Sequence, residues 1–204
     1  MTVIVLDQQF AARVKAERAA SGLDRHDEVW EGVYVMAPIA NNEHLDLQGL
    51  LVWALRNALG AGAPQRVAPG GNVSDRQDDW THNYRIPDVI VVLPGGAARD
   101  CGTHWCGGPD LCVEITSPGD RSRDKLEFYS AVGVREMVLV DRDPWQLELY
   151  RLDAGRLRLI GRLLPGDGQS LTSEIVPVSL RLLPGQPRAR IEVAHHDGEQ
   201  RWLA

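Results

Sequence analysis

Two short apolar runs, each carrying one carboxylate, constrain this chain more than any other feature. The first run, residues 85–92, carries Asp88, and the second, residues 111–118, carries Glu114. Runs of β-branched and aliphatic residues of this length predict buried strands. A carboxylate in a buried strand is costly to desolvate unless a positive charge neutralises it. Two of them on neighbouring strands therefore predict a site that holds a cation.

The length and charge of the chain limit its class. At 204 residues it is long enough for one domain with a substantial core. Its formal charge of −6 gives no overall basic surface, so any contact with nucleic acid must come from a local cluster. No segment approaches the roughly 18 apolar residues that span a bilayer. The odd number of cysteines, 3, favours the reducing cytoplasm over a disulfide framework.

The order of apolar periodicities predicts an α/β fold, with a mixed β-sheet flanked by helices. Helical spacing that ends close to a glycine predicts helices over residues 8–20, 43–59 and 121–131. Alternating or continuous apolar runs predict hairpins over residues 27–36 and 147–163, and strands over residues 86–93, 111–116 and 137–140. Residues 64–80 are predicted to be strand broken by Gly70-Gly71 and followed by an Asp-rich loop. The two hairpins flank a predicted core whose elements follow in the order strand, strand, helix, strand. One hairpin is N-terminal to this core and the other is C-terminal to it.

The two ends of the chain are expected to lie outside the main domain. Residues 1–24 are predicted to be an N-terminal helical extension, and residues 25–183 the domain itself. Residues 184–204 are mixed and polar, which predicts a weakly ordered C-terminal tail.

Asp88 and Glu114 are the predicted metal ligands. Mg²⁺ or Mn²⁺ prefers hard oxygen ligands, usually one or two carboxylates together with water and substrate phosphate. A third group should orient or polarise the attacking water. The helix after the Glu114 strand offers Lys125 and Tyr129, which lie four residues apart on one face, and Arg121 one turn earlier.

Several motifs occur together in one order along residues 25–183. They are Trp30-Glu31-Gly32-Val33-Tyr34-Val35-Met36-Ala37-Pro38, Glu43-His44, Pro87-Asp88, Glu114-Ile115-Thr116-Ser117-Pro118, Asp124-Lys125 with Tyr129, Gly133-Val134 and Val138-Leu139-Val140-Asp141. Together they resemble the Uma-two family of restriction-endonuclease-like proteins, within the PD-(D/E)XK nuclease superfamily. The resemblance implies a restriction-endonuclease-like core.

The resemblance also implies roles for individual residues. It implies that Asp88 and Glu114 bind magnesium, with the Ile115 carbonyl as a further ligand in our interpretation. Superfamily members usually carry a lysine two residues after the glutamate, but this chain has Thr116 there. The resemblance places the lysine on the following helix, at Lys125.

Further residues are accessory candidates. The resemblance matches Glu43 and His44 to an acidic or polar contribution from the first core helix, and Tyr129 lies on the lysine face. Arg121 and Arg123 are candidates for contact with phosphate. Each also has a structural interpretation: a carboxylate in a first helical turn interacts favourably with the helix dipole, and charges on a helix face are often only solvated.

The leading hypothesis is a magnesium-dependent endonuclease that hydrolyses phosphodiester bonds of nucleic acid, in particular DNA. Lys125 would orient the attacking water or offset negative charge in the transition state. The acidic composition and Thr116 favour an alternative, an inactive nuclease-like scaffold used for binding or assembly. Hydrolysis of a smaller phosphate ester is a third option. The sequence leaves the oligomeric state open, with a homodimer among the options.

A zinc site is a weaker hypothesis for this chain. Cys101, His104, Cys106 and Cys112 contain no Cys-x-x-Cys pair. Cys112 also falls inside a predicted buried strand, where cysteine is a common small apolar residue.

Overall fold

The computed structural model describes residues 2–60, 65–116 and 119–204. Within these ranges the helices are α1 (Gln8–Ala20), α2 (Asn42–Leu59) and α3 (Leu126–Val132), with 3-10 helices at Trp80–His82 and Ser122–Lys125. The predicted turn at Ser117 and Pro118, and the start of the predicted strand at Pro64, lie outside the described residues.

The strands of the described residues form three sheets. In chain order they are β1 (Val3–Val5), β2 (Glu28–Trp30), β3 (Val33–Met36), β4 (Arg66–Pro69), β5 (Val73–Ser74), β6 (Tyr84–Arg85), β7 (Val89–Val92), β8 (Arg99–Asp100), β9 (Trp105–Cys106), β10 (Leu111–Ile115), β11 (Glu136–Arg142), β12 (Trp145–Asp153), β13 (Arg156–Leu163), β14 (Leu171–Thr172), β15 (Val178–Leu183), β16 (Arg190–His195) and β17 (Arg201–Leu203). The first sheet has the order β1-β3-β2-β6-β5-β9-β8, the central sheet β13-β12-β11-β10-β7-β4, and the third β14-β15-β16-β17. The predicted break at Gly70-Gly71 lies between β4 and β5, which belong to different sheets.

The central sheet is mixed, because β10 and β11 are parallel while its other neighbouring strands are antiparallel. Alternation along β10 sends Leu111, Val113 and Ile115 to the core that contains α2 and the third sheet. Cys112 faces the opposite core, which contains Tyr129 of α3. Since strand side chains alternate, Glu114 belongs to the same face as Cys112. The central sheet is therefore buried on both faces.

Helix α2 ends where the sequence predicts it and begins one residue earlier, at Asn42. The Asn41 side chain caps its first turn by accepting from the His44 backbone N–H at 3.0 Å, and Gly60 follows its last residue. Its buried residues are Leu47, Leu51, Val52, Ala54, Leu55 and Ala58. This apolar stripe fixes the helix on the central sheet, so the polar first turn lies at the edge of the core.

The predicted α/β fold with a mixed sheet is confirmed, including the hairpins β2–β3 and β12–β13. The expectation of a weakly ordered C-terminal tail is wrong, since β16 and β17 pair with each other and with β15. Ile191 and Val193 of β16 are fully buried. The alternation of these two residues with polar residues is the sequence signal for a strand. The sequence interpretation missed it because the surrounding residues are mostly polar.

Two further observations qualify the expectations. The helix expected over residues 121–131 begins as a 3-10 helix at Ser122–Lys125 before α3. The division into residues 1–24, 25–183 and 184–204 remains a prediction.

No helix in the described part of the chain is both long and apolar enough to cross a membrane.

Candidate active site

Strand pairing brings Asp88 and Glu114 next to each other. The antiparallel register of β7 and β10 pairs Val89 with Val113, so the next step along both strands sets Asp88 opposite Glu114. The backbone N–H of Ile115 donates to Asp88 Oδ2 at 2.6 Å. Because cross-strand neighbours share one face of a sheet, the two carboxylates point to the same side.

Asp88 is held by the first turns of α2. His44 Nε2 lies 2.8 Å from Asp88 Oδ1, and Gln48 Nε2 donates to the Asp88 backbone carbonyl at 2.8 Å. His44 and Gln48 are four residues apart and therefore lie on one helix face. The cap at Asn41 and the buried stripe of α2 set the position of both side chains relative to β7.

Glu114 is almost fully buried and accepts hydrogen bonds from three side chains. The Tyr129 hydroxyl donates to Oε1 at 2.6 Å, and Ser122 Oγ donates to Oε2 at 3.2 Å. Lys125 Nζ lies 3.1 Å from each carboxylate oxygen. The predicted face of Lys125 and Tyr129 is thus the face that contacts Glu114.

Glu28 is a member of this cluster that the sequence interpretation missed. Its Oε1 accepts from Lys125 Nζ at 2.8 Å and from the backbone N–H of Ile86 at 2.8 Å. Its Oε2 accepts from Trp30 Nε1 at 2.6 Å. The available signal was a carboxylate beginning a predicted apolar strand, the same signal that identified Asp88.

Burial and neighbouring charges shift the pKa values of this cluster. Burial raises the pKa of the Glu114 carboxyl to about 8; the Lys125 ammonium opposes the rise, and the Asp88 carboxylate adds to it. Burial alone would lower the pKa of Lys125, but the carboxylates of Glu114 and Glu28 outweigh burial and raise it above its usual value. Burial also raises the pKa of the Tyr129 hydroxyl. Lys125 is therefore an ammonium, and Tyr129 a neutral donor, at neutral pH.

Glu28, His44, Asp88, Glu114 and Lys125 line one cleft, which we name the carboxylate cleft. Its volume is about 90 Å³. The described side chains with titratable groups that line it are Glu28, Asp88, Glu114, Asp120, Arg121, Lys125, His26 and His44. Even when the Glu114 carboxyl is protonated, the three carboxylates of Glu28, Asp88 and Asp120 oppose the two permanent cations Arg121 and Lys125, so the cleft has an excess of negative charge.

The structure brings some predicted residues to the carboxylate cleft and leaves others outside it. Arg121 lines the cleft and pairs with Asp124 at 2.5 Å. Arg123 instead pairs with Asp141 and the fully buried Glu148. It is not among the residues lining the cleft.

Glu43 also lies outside the lining of the carboxylate cleft. Its Oε2 accepts from Arg142 Nη1 at 3.0 Å, and Arg188 Nε lies 3.9 Å from its Oε1. The structure therefore gives Glu43 arginine partners, whereas its neighbour His44 contacts Asp88.

The zinc hypothesis gains no support. Across residues 2–60, 65–116 and 119–204, no group of three or more His, Cys, Asp or Glu side chains is arranged to hold a metal ion. Cys101, Cys106 and Cys112 are free thiols. His104 stacks on Trp80, with ring centroids 5.0 Å apart.

Asp88 and Glu114 fit a hard divalent cation that uses only one or two carboxylates. A carboxylate has about four acceptor positions on its two oxygens. The side-chain contacts above occupy both positions of each Glu114 oxygen, but Asp88 Oδ1 and Oδ2 each accept a single bond. Lys125 is shared with Glu28, so Glu114 can give up one contact without leaving the lysine unpaired. The negative excess of the cleft favours a cation at this pair.

We expect Tyr129→Phe to destabilise the protein modestly. The change removes a buried hydrogen bond to a carboxylate, which costs about 1.5–3 kcal/mol. Because this bond also lowers the pKa of Glu114, the Glu114 carboxyl should titrate at a higher pH in the variant. Urea unfolding and NMR titration of the carboxyl carbon measure the two effects. Unchanged stability together with an unchanged titration would contradict the contact.

Known proteins resemble this chain in sequence and in fold. The family model Uma2, described as "Putative restriction endonuclease", matches residues 17–184. A crystal structure from Anabaena variabilis, described as that of a "putative nuclease belonging to DUF820", is similar with a TM-score of 0.52 and 17% sequence identity. The similarity covers 65% of this chain and 75% of that chain, and at this identity it concerns the fold alone. No curated protein matches the chain in sequence.

Proposed function

The chain belongs to the Uma2 family, and from this premise we propose that it is a divalent-metal-dependent nuclease that hydrolyses phosphodiester bonds of DNA. One observation carries the proposal. Lys125 contacts Glu114 at 3.1 Å, directly across the strand pair from Asp88, in one cleft. Two carboxylates and an ammonium in this arrangement match what phosphodiester hydrolysis requires: a cation site and a positive charge close to the phosphate.

Asp88 and Glu114 would hold Mg²⁺ or Mn²⁺. The ion would supply positive charge that polarises the scissile phosphate and lowers the pKa of a bound water. The chain's own two cations at the cleft do not offset its carboxylates, so an anionic substrate would be repelled without the ion.

Lys125 is assigned the role of offsetting negative charge as the phosphate is attacked. Because its pKa is raised above its usual value, it remains an ammonium and is a hydrogen-bond donor rather than a base. A fixed cation of this kind stabilises charge that develops in the transition state. The ammonium would reach a phosphate oxygen, or the water that attacks it, from the floor of the cleft.

Three neighbours position the catalytic groups. Glu28 fixes the Lys125 ammonium at 2.8 Å, and the Tyr129 hydroxyl fixes Glu114 at 2.6 Å. His44 fixes Asp88 at 2.8 Å. Side chains held in this way need little reorganisation during the reaction.

A cleavage assay with the full chain tests the proposal. We expect plasmid or single-stranded DNA to be cut in the presence of Mg²⁺ or Mn²⁺ and to remain intact with a chelator. Asp88→Asn should abolish this cleavage, because the amide keeps the shape of the side chain but removes the charge that attracts the ion. The matched control is Asp153→Asn, an exposed carboxylate of β12 whose loss should leave the rate unchanged. Cleavage that survives chelation, or an Asp88→Asn protein as active as wild type, would contradict the proposal.

A nuclease-like scaffold without catalysis is the second candidate. Two observations favour it: the acceptor positions of Glu114 are occupied by side chains of the protein, and Thr116 donates to Asp141 at 2.5 Å where a lysine is usual. A scaffold would show neither metal-dependent cleavage nor a change of melting temperature with millimolar Mg²⁺ or Mn²⁺.

A further inference from the structure

The carboxylate cleft has a charged floor and an apolar mouth. On the floor, the side chains of Glu114, Lys125 and Asp88 are 4%, 11% and 18% exposed. At the mouth, Ile39 is 80% exposed and Leu45 is 49% exposed. Exposed aliphatic side chains at the entrance of a cleft with a charged floor offer a surface on which an apolar part of a ligand can pack.

The charged floor and the apolar mouth of the cleft match different parts of a nucleotide. The phosphate is the group that must reach the buried floor. The groups that flank the phosphate would then lie against Ile39 and Leu45. In a duplex those flanking groups are further phosphates and sugars, because the base faces are stacked inside. In an unpaired strand the bases are free to pack on apolar and aromatic side chains.

The charge around the mouth disfavours a duplex further. A duplex carries one negative charge per roughly 1.7 Å of its axis, and proteins that bind it by its backbone use many lysines and arginines. Arg121 is the exposed arginine among the described residues that line the cleft, and it is paired with Asp124. Lys125 is buried between two carboxylates. Affinity at this mouth must therefore come largely from base contacts.

The indole of Trp30 adds an aromatic surface at the same cleft. It lines the cleft and is partly exposed, with the Arg85 guanidinium 4.7 Å and the Arg121 guanidinium 5.9 Å from its ring centroid. Its Nε1 donates to Glu28, which fixes the ring. Aromatic rings are the side chains on which single-strand sites stack bases.

We propose that the carboxylate cleft takes an unpaired nucleic-acid strand, with the scissile phosphate on the floor and a flanking base packed on Ile39 and Leu45. The inference rests on the proposed nuclease function and names its substrate class. The volume of about 90 Å³ agrees with it, since it admits a phosphate group but is far smaller than a duplex segment.

The test compares one labelled oligonucleotide in three forms: single strand, full duplex, and duplex with a central unpaired bubble. We expect the full chain with Mn²⁺ to cut the single strand and the bubble about tenfold faster than the duplex. Fluorescence anisotropy with wild type and Mn²⁺, on the same oligonucleotides made with phosphorothioate linkages that slow cleavage, should show the same order of affinity.

A matched pair of variants tests the mouth itself. Leu45→Ser and Ile39→Ser should slow cleavage of the single strand about tenfold while leaving the melting temperature unchanged. Leu164→Ser is the control, because Leu164 is 47% exposed, nearly as much as Leu45, and does not line the cleft. Its rate should equal that of the wild type.

The outcomes separate this inference from the proposed function. Metal-dependent cleavage with equal or faster cutting of the duplex would overturn the inference and leave the function standing. Slower duplex cutting by Ile39→Ser, with single-strand cutting unchanged, would instead make Ile39 a wedge between stacked base pairs, which also overturns it. If no oligonucleotide is cut, the proposed function fails, and the anisotropy order alone decides whether the cleft prefers an unpaired strand.

Discussion

Replacing Lys125 by alanine is expected to lower the free energy of unfolding by about 3–5 kcal/mol near pH 8. The ammonium contacts Glu28 at 2.8 Å and Glu114 at 3.1 Å, and all three side chains are buried. Removing it leaves Glu28 and Glu114 buried without a counter-charge, so Glu114 must either stay ionised without a partner or take up a proton. Urea unfolding monitored by circular dichroism measures the loss.

The pH dependence of that loss follows from the direction of the pKa shifts. The folded-state pKa of Lys125 is raised, so its contribution to stability is fully present below about 10.5 and does not change between pH 5 and 9. In the variant, Glu114 loses the ammonium that lowers its pKa. The folded variant therefore holds a proton more tightly than the unfolded chain does, and its stability falls as pH rises above about 4.5. Wild-type Glu114, with a folded pKa of about 8, causes the same fall in stability up to that pH, so the difference from wild type should widen only above about pH 8.

The chain provides its own control for this experiment, because it contains only two lysines. Lys15 of α1 is exposed, and Lys15→Ala should change stability by less than about 0.5 kcal/mol. Mn²⁺ should restore part of the stability of Lys125→Ala, since the empty cation position lies between carboxylates. A Lys125→Ala protein as stable as wild type at every pH would show that the buried ion pairs are not formed.

The same substitution should lower the cleavage rate about 10²–10³-fold, as removal of a preorganised donor does in other enzymes. Metal affinity should be unchanged or higher, because a neighbouring positive charge is lost. Lys125→Arg should recover little activity, since a planar guanidinium is larger and cannot occupy the same point between two carboxylates. Full activity in Lys125→Ala would instead make the lysine a structural cation.

Glu114→Gln is expected to reduce metal-dependent cleavage by at least about two orders of magnitude and to remove the thermal effect of the metal. A ligand that binds only the folded state adds about 2.7 kcal/mol of stability at 100 times its dissociation constant. Wild type should therefore melt higher with saturating Mn²⁺, and the variant should not. Calorimetry with and without metal measures both.

Without metal, Glu114→Gln should cost less stability than Lys125→Ala. The glutamine oxygen can still accept from Tyr129, and Lys125 keeps Glu28 as a partner. Glu127→Gln, an exposed carboxylate of α3, is the control and should retain both the cleavage and the metal effect. A wild type that is indifferent to millimolar metal would favour the scaffold candidate.

Much of the fold is visible in the sequence because its signals are local. The apolar alternation of the hairpin β2–β3, the Asn41 cap and apolar stripe of α2, and the β-branched runs of β7 and β10 each predict their own element. The last strands were missed because β16 contains only two buried aliphatic residues, Ile191 and Val193. Their burial is decided by the third sheet and by α2, which come from elsewhere in the chain.

Some residues of the candidate site could likewise be identified from local sequence, and others could not. A carboxylate beside a buried strand is a local anomaly, so Asp88 and Glu114 could be identified from the sequence, and i,i+4 spacing associated Tyr129 with Lys125. Arg121 and Arg123 have the same local character, yet the first lines the carboxylate cleft while the second pairs with Glu148. Local sequence cannot distinguish the two arginines, because the difference depends on which strands pack next to each side chain.

By itself the sequence determined which residues are costly to bury and therefore need a partner. Only the tertiary structure decided which side chains are their partners. Glu28 lies 97 residues from Lys125 in the chain, and no local pattern connects them. The antiparallel register of β7 and β10 sets Asp88 across from Glu114, and a shift of one residue would turn one carboxylate to the opposite face. Pairing direction and register are set by the packing of both sheet faces, which is a property of the whole chain.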